Sequence, residues 1–536
     1  MQAMPSIVLA TLNARYSHAS LGLRCLRANL GALRDDSAIV EFTLRTPLQT
    51  IVEKLLAQAP RVVGFGVYIW NVTQTEAVVR RLKEVAPHVV VVLGGPEVSH
   101  EVDQQSICRV ADHVVTGWGE VSFARLAQQI LHGPRPLMKV HAGEQPPLAA
   151  LALPYDEYSE ADIAHRHLYV EASRGCPFKC EFCLSALDKT AWPFPLDTFL
   201  QSLEVLWQRG ARRFKFVDRT FNLKVETSVR ILEFFLAKLR AAPDDPPFLH
   251  FELIPDHLPE RLKAPIAAFP PGTLQFEIGI QTFNVEVQQL VSRRQDNTRA
   301  EENLRWLRAH THAHLHVDLI AGLPGETVES FGAGFDRLVA LQPHEIQFGI
   351  LKRLRGAPIA RHTQAYSLQF NPAPPYNVLA TDRIDAATML LLTRAARVWD
   401  LIANSGRFVQ TLPLLLGAQP FAALLALTQV LQQRLGRLHA IALEDLSAAL
   451  HDDLVQRQGV PAALAAQLLT ADFTRAGASG KLAFAPAAGA AGAAGAPTDA
   501  KKRSGLPRQA RHGACAAAPS AAPPSPLPAE LRAPSR

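Results

Sequence analysis

Twice along the chain, short apolar runs alternate with amphipathic stretches, and this rhythm constrains the fold more than any other feature. The first set comprises Ser6–Leu12, Ile39–Leu44, Val62–Val67, Val89–Leu93 and His113–Thr116. Each run is largely apolar and most are β-branched, as strands buried on both faces of a parallel sheet must be. Stretches of helical periodicity separate them, among them Leu21–Leu33 and Thr73–Val85. Such alternation predicts a mostly parallel sheet covered by helices. Residues 1–142 are therefore expected to form a doubly wound, flavodoxin-like (Rossmann-like) α/β domain. Ligands of such sheets sit beyond the carboxyl ends of the strands.

A Pro-containing connector, Gly143–Tyr155, lies in a linker assigned to residues 143–160. The second set of strands follows: His167–Ala172, Arg213–Val217, Leu249–Leu253, Thr273–Gly279, His314–Ile320 and Glu345–Ile350. Helical stretches at Leu200–Gln208, Val225–Leu239, Ala300–Ala309 and Val328–Leu341 lie between them. Six such units over residues 161–370 predict a partial (β/α)6 TIM-type barrel with its active site at the carboxyl ends of the strands. Residues 371–476 read as Leu/Ala-rich helices, including Thr381–Ala403 and Ala422–Leu450, without strand alternation. Residues 477–536 are too rich in Ala, Gly and Pro to bury a core, and disorder is expected there.

The net charge of +6 invites a nucleic-acid reading, but its location removes that inference. From Lys501 onward seven Lys/Arg face Glu530 alone, so the tail carries the whole excess and the body is neutral. No apolar run is long enough to cross a bilayer, and the first residues read as a strand rather than a secretory signal. A cytoplasmic protein with no membrane partner is expected. Of six cysteines, Cys25, Cys108 and Cys515 are scattered, whereas three fall within eight residues. Three clustered thiols cannot all pair among themselves, and soft ligands in a reducing compartment point to a metal.

That cluster reads Cys176-Pro-Phe-Lys-Cys180-Glu-Phe-Cys183, after the strand ending at Ser173. Three thiolates on one loop can wrap one face of a cubane iron–sulfur cluster. A fourth would close it, as in electron-carrying ferredoxins. No fourth cysteine is near, so one iron stays open to an external ligand. Zinc is the structural alternative. It needs four ligands, commonly paired, and His165 and His167 lack paired spacing.

The Cys-x3-Cys-x2-Cys spacing after the first barrel strand, with Phe182 before the third cysteine, resembles the radical S-adenosylmethionine (SAM) superfamily. The resemblance implies a [4Fe-4S] cluster on Cys176, Cys180 and Cys183 whose open iron binds SAM. Reductive cleavage of SAM then yields a 5′-deoxyadenosyl radical. It also implies SAM contacts from Phe182, Asp218, Glu277, Gln281 and Gly322, which stand at or near strand ends.

The first domain resembles the cobalamin-binding domain of the B12-binding branch of that superfamily, through Val92–Glu97 and Asp112–Glu120. Trp118 stands where that motif usually has Glu. Cobalamin contacts are implied for Asn13, Tyr68, Gly94, Gly95, Gly117, Gly119 and Glu120. No Asp-x-His-x-x-Gly signature is present, so no histidine ligand to cobalt is expected.

The activity implied is methyl transfer to an unactivated centre of an unknown small-molecule or peptide substrate, driven by a reductant such as flavodoxin or ferredoxin. Rearrangement, cyclisation or epimerisation without methyl transfer, and a non-catalytic SAM or cobalamin sensor, stay open. Methylthiolation would require a second cluster, and no second set of three clustered cysteines exists. The resemblance covers about residues 5–360 and leaves the helical region as an uncharacterised extension.

Overall fold

The computed structural model describes residues 4–134, 136–478, 480–484, 509 and 511–512; the expected disorder over 477–536 falls almost wholly outside them. The chain divides into two compact units, Met1–Ala396 and Arg397–Arg536.

The first sheet contains β1 (Ile7–Asn13), β2 (Ser37–Thr43), β3 (Val62–Gly66), β4 (Val90–Gly94), β5 (His113–Thr116) and β6 (Val140–Ala142). All neighbours are parallel, in the order β2-β1-β3-β4-β5-β6. Every residue of β1 is buried. Its alternate side chains feed two cores, Val8, Ala10 and Leu12 into one and Ile7 and Leu9 into the other, as period-two geometry requires. Strand order reverses at β1/β3, which opens a crevice at the carboxyl edge. β6 is an addition to the five expected strands. It is three residues long, half exposed and flanked by prolines, so it carries no apolar pattern.

The cysteine-rich segment is framed by a small antiparallel hairpin, β8 (Ser173–Gly175) with β9 (Ala191–Pro193), just after β7 (Leu168–Val170). β7 then joins β10 (Arg213–Phe216), β11 (Phe248–Leu253), β12 (Leu274–Gln281), β13 (His314–Ala321) and β14 (Glu345–Ile350). These six strands are parallel, ordered β14-β13-β12-β11-β10-β7, as a partial barrel. In β12 the apolar Leu274, Phe276, Ile278 and Ile280 are buried, and the intervening Glu277, Gly279 and Gln281 line a cavity.

A strand pair straddles the start of the region expected to be helical, β15 (Gln369–Phe370) just before it and β16 (Val378–Ala380) within it. The helix expected over Ala422–Leu450 is two helices, Pro420–Leu435 and Leu443–Asp452. Gly436, in the left-handed conformation at φ 66°, ends the first of them. Among the described residues no helix is long and apolar enough to cross a membrane.

Within the first unit, the loop after β4 is ion-paired to the segment after β14. Arg355 reaches Glu97 at 3.0 Å and Glu101 at 2.8 Å, and Arg353 reaches Glu101 at 2.7 Å. Tyr376 donates its hydroxyl to Glu97 at 2.6 Å. Gly356 packs so closely that a Cβ there would meet the His100 ring. Removing one partner from a buried pair leaves an uncompensated charge, so Arg355→Ala is expected to cost about 3 kcal/mol. Hydrogen exchange should rise in residues 95–101 and around Tyr376; unaltered protection there would contradict this reading of the contact.

Candidate functional site

The hairpin β8–β9 holds the three cysteines at the carboxyl edge of the barrel, where they line one cavity of about 250 Å³. Cys176 is buried, and its thiol is pushed up to about 11 by burial and by the neighbouring Cys183 and Cys180. Arg293 places a guanidinium nitrogen 3.4 Å from Cys180 Sγ and also bonds the Gly279 carbonyl.

Among the described residues no three His, Cys, Asp or Glu side chains are arranged to share a single metal ion. A cubane suits the three thiols better than zinc does, because each thiolate of a cubane binds a different iron. His165 and His167 do not line the cavity.

Of the implied SAM contacts, Phe182, Glu277 and Gln281 face this cavity. Burial opposes ionisation of Glu277, but the His250 hydrogen bond and the charge of His250 and Lys215 outweigh it and hold the carboxyl low. His250 Nε2 stands 3.2 Å from that carboxylate. Gln281 sits at a register shift between β12 and β13 with φ 69°, and its buried Oε1 has no hydrogen-bond partner. An orphaned acceptor on a cavity wall fits a ligand that brings a donor.

Asp218 and Gly322 do not line this cavity. The Asp218 carboxylate accepts the Ala172 N–H at 3.0 Å and the Ser173 hydroxyl at 2.6 Å. It thus shapes the turn leading into the cysteine loop, and burial pushes its carboxyl up to about 7. At Gly322, with φ 86°, a Cβ would come within 2.5 Å of Val378 and 2.9 Å of Met389. The missing side chain there makes room for this close packing.

The sequence reading missed Arg293 and the Arg219–Glu252 pair, 3.2 Å apart, on the cavity wall. No local motif marks them. Their positions at or just after the ends of β10 and β11, and beyond β12, are the only signal.

Glu326, 1% exposed at the end of the β13 loop, accepts hydrogen bonds from Thr282 at 2.9 Å and Ser330 at 3.0 Å. Burial still pushes its carboxyl up to about 7. Below pH ~4.5 it is protonated in both folded and unfolded chains. As pH climbs towards 7 only the unfolded chain ionises, so the fold loses stability through that window and does not regain it above. Glu326→Gln is expected to remove this loss, on the order of 2 kcal/mol, at pH 8 but not at pH 4. Urea unfolding at the two pH values measures it, and an equal effect at both would contradict the assignment.

At the carboxyl edge of the first sheet lies a cavity of about 310 Å³ that brings together Tyr68, Gly94, Gly95, Gly117, Gly119 and Glu120. Asn13 is not on its wall; its amide donates to the His18 carbonyl at 3.0 Å and to Glu41 at 2.9 Å. Gly66, Leu23 and Phe123 add apolar walls suited to a flat ring. Arg174, two residues before Cys176, closes the cavity from the barrel side. It ion-pairs with Glu120 at 2.7 Å and lies 4.6 Å over the Trp118 ring, which explains how the departure at Trp118 is used.

This space admits only part of a molecule as large as cobalamin. Tyr68, however, also lines a neighbouring chamber of about 750 Å³. That chamber shares Phe182, Cys183, Arg219, Gln281 and Asp318 with the cysteine cavity. The three spaces lie in series, and the residues present fit both cofactors.

Three family models match the chain: a B12 binding domain over residues 7–127, the Radical SAM superfamily over 170–338, and a protein of unknown function (DUF4080) over 364–478. An uncharacterised methyltransferase of Pyrococcus horikoshii is 27% identical over 32% of this chain and 42% of its own length. The cobalamin-dependent radical SAM methyltransferase TokK of Streptomyces tokunonensis is 24% identical over 56% of this chain and 48% of its own. The chain thus spans under half the length of these curated relatives. The radical SAM methyltransferase TsrM of Kitasatospora setae, solved with cobalamin and a [4Fe-4S] cluster, superposes with a TM-score of 0.54 at 18% identity, covering 70% of this chain and 82% of that one. The fold is shared with that enzyme, and the chain combines a B12-binding domain with a radical SAM domain.

Proposed function

We propose that this chain, a radical SAM protein with a B12-binding domain, methylates an unactivated centre of a small-molecule or peptide substrate. The observation that carries the reading is the 750 Å³ chamber whose walls include residues of both cofactor cavities. When bound, the cluster and SAM supply a hydrogen-abstracting radical and cobalamin supplies a methyl group. One substrate atom must meet both, so it belongs in a space open to both.

In this reading residues 1–142 hold cobalamin and 161–370 hold the cluster and SAM, joined by the linker 143–160. Cys176, Cys180 and Cys183 ligate the cluster. Arg293 sets a positive charge beside Cys180 and is placed to receive the SAM carboxylate, with Glu277 available to its amino group and Gln281 to a donor. Tyr68, Gly94, Gly95, Gly117, Gly119 and Glu120 cradle cobalamin. Ile320, Ile350, Leu351 and Leu354 give the chamber apolar wall, which limits the water that would quench a carbon radical. Electrons come from a low-potential carrier of the flavodoxin or ferredoxin type.

Co-occupancy tests this. Chain reconstituted anaerobically with iron, sulfide and cobalamin, then desalted, is expected to retain a four-iron cluster and cobalamin together. SAM should change the electron paramagnetic resonance spectrum of the reduced cluster. Exclusion of cobalamin from a chain that holds the cluster would end the methyl-transfer reading.

A further inference from the structure

One buried carboxylate outside the set described so far stands inside the cysteine loop itself. Glu181, between the second and third cysteines, is 3% exposed. A surface-type residue at that depth needs partners, and three donors converge on it. Its Oε1 accepts from Ser292 Oγ at 2.6 Å and from the Arg361 guanidinium; its Oε2 accepts from His362 Nε2 at 2.8 Å. The backbone of the same residue is tied on both sides. Its N–H donates to the Val291 carbonyl at 3.0 Å, and its carbonyl accepts the Ile359 N–H at 2.9 Å. Ser292 holds φ 54°, a backbone state that a serine adopts only when its surroundings fix it.

The loop is therefore pinned to two distant segments, one following the helix Val285–Leu290 and one beyond β14 at Pro358–His362. Both anchors meet at one side chain.

We propose that Glu181 is a positioning residue of the iron–sulfur site, holding Cys180 and Cys183 where a cubane needs them by clamping the loop to residues 291–292 and 359–362. It lines neither the cysteine cavity nor the larger chamber. It acts through the two cysteines that flank it, and the inference rests on the cluster assignment made above. The carboxylate fits this task because it can accept from three donors at once; an amide of the same shape offers a single acceptor oxygen. Leucine would leave Arg361, His362 and Ser292 facing an apolar surface, with the loop held only by its backbone bonds.

The experiment compares wild type, E181Q, E181L and the double variant Arg361→Met/His362→Leu after anaerobic reconstitution with iron and sulfide. The readouts are iron per chain, rate of iron loss to a chelator, and the SAM-induced change in the reduced-cluster resonance spectrum. Loss of a supporting partner around a metal site weakens retention about 10–100-fold, so E181L is expected to lose iron faster by that factor. E181Q, which keeps the shape and one acceptor, should retain the cluster but with an altered SAM-induced spectrum. The double variant leaves the loop sequence intact, so its faster iron loss would place the effect in the clamp even if E181L fails to fold. Wild-type iron retention and spectra in the double variant, or in a folded E181L, would overturn the proposal. A wild-type chain that assembles no four-iron cluster would overturn the functional reading and this inference with it.

Discussion

Replacing Cys176 by alanine is expected to abolish the four-iron cluster and all 5′-deoxyadenosine formation. Among the described residues the three thiols that line the barrel cavity have no substitute there, because Cys25 and Cys108 are buried elsewhere in the first domain. Two thiolates leave a cubane with two unprotected irons. The same thiol makes assembly dependent on pH. Burial and the adjacent Cys183 and Cys180 push Cys176 up to about 11, so the metal-free loop keeps its proton through neutrality. Iron must displace that proton, and cluster yield should rise as pH is raised within the stable range. Iron and sulfide analysis of the two proteins, reconstituted side by side, measures the first effect. Wild-type iron content in the alanine variant would contradict the ligand assignment.

Gly95→Val is expected to eliminate cobalamin binding while leaving the barrel intact. Gly95 holds φ 108° and ψ 171°, a region essentially reserved for glycine. A Cβ would also stand 2.6 Å from the Val67 carbonyl oxygen and 3.0 Å from its nitrogen. These are backbone atoms of the neighbouring strand's extension, tied in turn by the Val67 N–H to the Gly94 carbonyl at 2.8 Å, so neither side can yield cheaply. Relief requires the loop after β4 to move, taking Gly94 and Gly95 from the cavity wall and Glu97 from Arg355. Gly117 makes the contrast. Its φ is also positive, at 71°, but a Cβ there meets no protein atom within 4 Å, so Gly117→Ala should cost about 1 kcal/mol of stability without moving its loop. Retention of cobalamin absorbance after desalting compares Gly95→Val with wild type. Equal retention by Gly95→Val and wild type would refute the cradle.

Much of this was legible because the signals are local. The period-two alternation of Leu274–Gln281 announces both the strand and which residues face inward, and the three cysteines announce themselves by spacing alone. What stayed hidden depends on distant partners. Asp218 lies just past the end of β10, and nothing local shows that the N–H of Ala172 and the hydroxyl of Ser173, some 45 residues earlier, bond its carboxylate. Gly322 looks like a cofactor-approach glycine, yet the residues that need its missing side chain, Val378 and Met389, come from a region that reads as plain helix. Arg174 and Glu181 lie inside or beside the motif, and nothing in the motif reveals that one lines the cavity of the first sheet and the other ties the loop to distant segments. Length decided the missed strands. β6, β15 and β16 have three residues or fewer, too short to show a period.

The measurement that reaches the central claim most directly is the product pair formed from SAM. Chain reconstituted anaerobically with iron and sulfide, with and without cobalamin, is given SAM and a strong reductant, and 5′-deoxyadenosine and S-adenosylhomocysteine are quantified. The account predicts 5′-deoxyadenosine that disappears in Cys176→Ala, together with S-adenosylhomocysteine that requires cobalamin. Deoxyadenosine with no cobalamin-dependent S-adenosylhomocysteine would contradict methyl transfer and indicate radical rearrangement, and neither product from a chain holding both cofactors would contradict the enzymatic account altogether.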